Sequence, residues 1–124
     1  MSITHASFVT LPVADQDRAL RFYRDVLGFE VVADLGMPAG RWLQVAPVGA
    51  QTAFTLAGPG MGDFEAGSAR GIMFVTTDVD ADCARLAGAG VAVRGPEEQP
   101  WGRMASFADP DGNGLMLLTE KEGF

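Results

Sequence analysis

One order of elements is written twice in this sequence, and the second copy keeps close register with the first. An apolar strand at residues 6–13, a helix over DQDRALRFYRDVLGF and three strands, FEVVADL, RWLQVA and TAFTLA, make the first copy. GIMFVTT, the helix DVDADCARLAGAG, and then VAVRG, RMASFA and NGLMLLT make the second. Asp15 and Asp78, each closing the first strand of its half, lie 63 residues apart, and Gly28 and Gly90, each following a helix, lie 62 apart. A spacing held this constant is the mark of a duplicated unit. Either half alone has an open sheet face and too little interior, so the 124 residues are expected to act as one domain: module one at 1–57, a connector at 58–70 and module two at 71–124.

Local signals support the elements. Val9, Leu11 and Val13 alternate onto one strand face, while Ala19, Leu20, Phe22, Tyr23, Val26 and Leu27 recur at helical spacing between an Asp15 cap and the Gly28 stop. Val79, Cys83 and Leu86 form one stripe of the second helix. The connector, rich in glycine and without apolar period, reads as a flexible link.

Charge excludes some partners. Nine basic against 16 acidic residues give a net charge of −7, and the arginines are scattered rather than gathered on one face, which disfavours nucleic acid. No apolar run approaches the ~18 to 20 residues of a membrane span, and MSITHASF is unlike a secretory leader, so no membrane association and a cytoplasmic location are expected. The single cysteine, Cys83, fits a reducing compartment.

LPVADQDRALRFYRDVLGF (11–29), RWLQVAP, TTDVDADCARLAGAGV and PWGRMASFADPDGNGLMLLTE (100–120) together cover nearly the whole chain. In that order and separation they resemble the vicinal oxygen chelate superfamily of glyoxalases, bleomycin resistance proteins and extradiol dioxygenases. The resemblance implies an α+β fold of two tandem βαβββ modules that curl into a cleft, with homodimerisation. It does not decide chemistry, because the same fold serves isomerases, dioxygenases and proteins that only sequester drugs.

Catalytic members of that superfamily hold a divalent metal with four His, Glu or Gln side chains. Carried over by position, those places fall on Phe8, Thr55, Gly71 and Met116, spaced by the same internal offset. A phenyl ring, a hydroxyl, a glycine and a thioether are poor donors for Mg, Mn, Fe(II) or Zn, so neither metal nor other cofactor is expected. Strand parity then places Phe8, Thr10, Trp42, Gln44, Thr55, Met73, Met104, Ser106 and Met116 on the cleft side, with Trp101 in the turn before strand seven. Without a titrating group among them, they suit burial of a flat or extended molecule better than proton transfer.

The expected function is therefore metal-independent capture of an aromatic or extended small molecule, such as an antibiotic, with the acidic balance favouring a cationic one. The competing reading is a glyoxalase-like lyase or dioxygenase-like enzyme with unusual metal ligands, for instance Asp63 and Glu65 of the connector. A third is an accessory domain whose cleft is closed by its own side chains. His5 reads as a surface residue, Cys83 as packing and the DPDGN segment as a turn.

Overall fold

The structure, a computed structural model, describes residues 1–122. Its elements are β1 (Phe8–Pro12), α1 (Gln16–Arg21), β2 (Glu30–Met37), β3 (Gly40–Ala46), β4 (Ala53–Ala57), β5 (Ile72–Val75), α2 (Val79–Gly88), β6 (Arg94–Gln99), β7 (Gly102–Ala108) and β8 (Gly114–Glu120). They form two four-stranded mixed sheets, ordered β1-β4-β3-β2 and β5-β8-β7-β6. The two βαβββ modules of the α+β class are thus present. In each, the first strand runs parallel to the last and the others pair antiparallel.

Two compact units follow from the contacts. The first joins Met1–Ala69 to Pro110–Asn113, and the second comprises Arg70–Asp109 and the chain from Gly114 onward. In the first unit α1 is capped by Asp15, whose Oδ1 accepts from Arg18 N at 3.1 Å. The helix then widens into one π turn over Phe22–Val26, closed by Leu27 N to Phe22 O at 3.1 Å. That turn leaves both Phe22 and Tyr23 buried, and Tyr23 packs on Phe29, which packs in turn on Phe54. Leu11, Val13, Leu43, Val45 and Leu56 complete this core, on the parity read from the sequence.

The DPDGN segment does more than turn the chain. Its last four residues, Pro110–Asn113, belong to the first unit, where the fully buried Asn113 donates through Nδ2 to Pro12 O at 2.9 Å and accepts from Ala69 N at 3.0 Å. Asp111 Oδ1 accepts from Ala14 N at 2.9 Å and from Arg18 at 2.8 Å. Gly67 lies at φ +80, and a Cβ there would sit 2.0 Å from Asp111 O, so glycine is required at this crossing.

In the second unit Asp78 caps α2 by accepting from Ala81 N at 3.1 Å, and the stripe read from the sequence, Val79, Cys83 and Leu86, is buried, as are Ala105 and Phe107 of β7 and Leu115 and Leu117 of β8, strands on which α2 packs. VAVRG behaves differently from the reading. Val91 N bonds back to Leu86 O at 3.0 Å, so residues 91–93 leave the helix, and the strand begins only at Arg94 and runs through Pro96 to Gln99. Proline is tolerated there because β6 is the sheet edge, where a missing N–H costs no ladder bond.

Each module carries an arginine clamp at matching places. Arg41 on β3 pairs with Asp17 of α1 at 2.7 Å and bidentately with Asp34 of β2 at 2.8 Å. Arg103 on β7 pairs bidentately with Asp80 of α2 at 2.9 Å and with Glu98 of β6 at 3.3 Å. The duplicated pattern ties the start of each helix to its own sheet.

Candidate functional site

On the first sheet, Thr10 lies opposite Thr55, Thr55 opposite Gln44, and Gln44 opposite Ala33, so one rung crosses all four strands. Gln44 Nε2 donates to Thr55 Oγ1 at 3.0 Å, and Thr55 is buried beneath that bond. Thr55 therefore fixes the carboxamide of Gln44 and presents little surface of its own. Phe8 is 44% exposed and forms a T-shaped pair with the half-buried Trp42, with centroids 5.5 Å apart. The structure thus brings together the five predicted residues of this unit, four of them accessible to some degree.

Sequence reading missed the contribution of β2. A bulge between Val31 and Ala33 shifts the register, placing Ala33 opposite Gln44 and Leu35 opposite Trp42 on the same face. Leu35 is 58% exposed, adding aliphatic surface beside the indole.

On the second sheet, one rung runs Met73, Met116, Ser106, Arg94 and the next runs Val75, Leu118, Met104, Glu97. A hollow of about 370 Å³ is lined by Arg94, Glu97, Gln99, Met104, Ala105, Ser106 and Met116. Three predicted residues, Met104, Ser106 and Met116, line it together. Met73 shares their face one strand away and is 39% exposed. Trp101, also exposed, donates from its indole N–H to Met104 Sδ at 2.8 Å, which holds the ring beside the hollow.

Arg94 and Glu97 correct the expectation that no charged side chain shares the predicted binding faces. Each lies opposite a predicted residue and so on its face. The Gly95–Pro96 pair in the sequence was the available signal, since a glycine inside a strand often marks a bulge.

The donor set does not fit a divalent metal. Phe8 and Gly71 offer no side-chain donor, Thr55 Oγ1 is committed to Gln44, and Met116 offers only sulfur. Among the described residues no three His, Cys, Asp or Glu side chains come together as a metal site requires. Asp63 and Glu65 are exposed connector residues. His5 lies exposed beside Thr4, and the Cys83 thiol is pushed up in pKa by burial, next to the charges of Asp80 and Asp82, which makes it a poor nucleophile. The resolved carboxylate shifts are downward: Asp34 and Asp80 are held below the usual range chiefly by hydrogen bonds from Arg41 and Arg103. None belongs to a predicted lining residue.

The profile of the family described as Glyoxalase/Bleomycin resistance protein/Dioxygenase superfamily matches residues 3–117. Among solved structures, the chain is similar to TnmS3, an antibiotic binding protein from Streptomyces sp. CB03234, at 49% identity and TM-score 0.90, covering 98% of this chain and 99% of that one. It is similar to a superfamily member from Sphaerobacter thermophilus DSM 20745 at 38% identity and TM-score 0.89, covering 97% and 100% of the two chains. It is also 32% identical over 111 residues to the uncharacterized protein YetH of Bacillus subtilis (strain 168), covering 88% of this chain and 92% of that protein. No helix among the described residues is long and apolar enough to cross a membrane.

Proposed function

We propose that this chain, which belongs to the Glyoxalase/Bleomycin resistance protein/Dioxygenase superfamily, captures an aromatic small molecule of the antibiotic type stoichiometrically and without a metal. The observation that carries the reading is the chemistry at the superfamily's metal positions: Phe8, Thr55, Gly71 and Met116 replace donors with ring, committed hydroxyl, hydrogen and thioether. The first sheet carries Phe8, Trp42 and Leu35, and the second carries Met73, Met104 and Met116, surfaces suited to stacking and to polarisable contact. The description of TnmS3 as antibiotic-binding, at 49% identity, favours this branch over the catalytic ones.

Affinity in this mechanism comes from desolvating a flat apolar body, with a neutral polar side chain, Gln44 on the first sheet's face or Ser106 on the second's, orienting polar groups at its edge. Nothing is transformed, so protection scales with protein concentration. We further propose that the working form is a homodimer, a reading supported by the exposed Val31, Val32, Leu35 and Met37 of edge strand β2.

The two tryptophans lie in different units and allow a direct test. Planar antibiotics, cationic and neutral, are titrated against the parent chain and its Trp42→Phe and Trp101→Phe variants while indole emission is followed. A saturable change at one-to-one stoichiometry, with a rise in melting temperature, is expected; ligand at 100 times its Kd stabilises the fold by about 2.7 kcal/mol. Unchanged emission and melting temperature across the panel would overturn the proposal. So would stoichiometric divalent metal in protein purified without chelator.

A further inference from the structure

The bulge in β6 has a specific result. Arg94 lies opposite Ser106 and Glu97 opposite Met104, so three steps along β6 match two along β7. Residues three apart in a regular strand face opposite sides. The extra residue cancels that alternation and turns both charges onto the face of Met104, Ser106 and Met116, where both line the hollow. Gly95 makes this possible: it sits at φ +98, and a Cβ would come 2.9 Å from Met104 O.

The two charges are available to a ligand. Both are exposed, and among the described residues neither forms an ion pair, whereas nearby Arg103 is held by Asp80 and Glu98. The first sheet has no counterpart, because Ala33 stands opposite Gln44 and Leu35 opposite Trp42 at the places matching Ser106 and Met104. The net charge of −7 repels anions at long range, which makes Arg94 the feature that would let an acidic group settle here.

We infer that the hollow of the second unit selects an amphoteric ligand, a flat apolar body carrying one acidic group for Arg94 and one amine for Glu97. This rests on the reading of the chain as a small-molecule binder and specifies the ligand's chemistry. Methionine and serine supply contact and a neutral hydrogen bond, and the β6 edge supplies charge recognition of both signs.

Four probes sharing a naphthalene body test it by calorimetry at 0.15 M salt: 6-(aminomethyl)-2-naphthoate, its acetylated anion, its carboxamide cation and the doubly neutral acetamide-carboxamide. The zwitterion is expected to bind about tenfold or more tightly than the neutral probe. Glu97→Gln is expected to weaken the zwitterion and cation about tenfold and leave the anion unchanged; Arg94→Gln should weaken the zwitterion and anion and leave the cation unchanged. Melting temperatures of both variants should match the parent, since these side chains are exposed. Equal binding of all four probes, or variants that keep full zwitterion affinity, would overturn the amphoteric selection while leaving capture of flat molecules standing. No binding by any probe would overturn the selection as well, and the tryptophan titration decides the underlying reading separately.

Discussion

The rings of Phe8 and Trp42 meet edge to face, at 5.5 Å and 89°, although β4 runs between their strands. Phe8 occupies a place where catalytic relatives are expected to carry a metal ligand. Here its ring meets an indole that itself remains partly open. Where the superfamily resemblance implies coordination, this chain makes an aromatic contact.

Phe8→Ala should therefore lower ligand affinity by about tenfold or more while reducing fold stability by only about 1 kcal/mol, the ordinary worth of an aromatic pair at a site already open to water. Fluorescence titration and urea unfolding measure the two effects. A collapse of stability with unchanged affinity would make Phe8 a packing residue only.

Asn113 should behave oppositely. Asn113→Ala removes the bonds to Pro12 O and Ala69 N inside a fully buried site, at a cost of about 2 to 3 kcal/mol. The melting temperature should fall by roughly 10 °C. Gly67→Ala should be harsher, since the added methyl meets backbone at a positive φ.

Acid should loosen the arginine clamps. Asp34 and Asp80 have folded pKa values below the ordinary 3.8, so their contribution is fully present above that value and is lost as pH falls through their depressed values. Asp34→Asn and Asp80→Asn should each be less stable than the parent at pH 6. The gap should shrink as pH falls below 3.8 toward the depressed values, and it should narrow in high salt, because the pairs are near the surface. Guanidine would mask the salt effect, so urea is the denaturant of choice.

Cys83 should resist modification. With the thiol buried and its pKa raised, iodoacetamide at pH 8 should label the native chain far more slowly than the urea-unfolded chain. Equal rates would show that α2 opens readily.

Much of this architecture was legible in the residues themselves. The Asp15 and Asp78 caps, the α2 stripe and the apolar parity of Leu11, Leu43, Leu56 and Leu115 follow from short-range periodicity, and the structure places them accordingly. The faces of Phe8, Trp42, Met104 and Met116 were readable for the same reason, since parity is a property of an unbroken strand.

What parity misses is where a strand slips. The bulge at 31–33 became visible only against the register of β3, and that at 94–97, hinted at by Gly95–Pro96, was fixed by the register of β7, and with them Leu35, Arg94 and Glu97. The same holds for Asn113, which lies more than a hundred positions from Pro12 and whose role no local pattern expresses. Local sequence determined the elements, their repeat and their buried sides, because propensity and alternation act between near neighbours. Tertiary structure decided the facing of Arg94 and Glu97, the Asn113 bonds and the arginine clamps, because each depends on a strand register or a hydrogen-bond partner that only folding supplies.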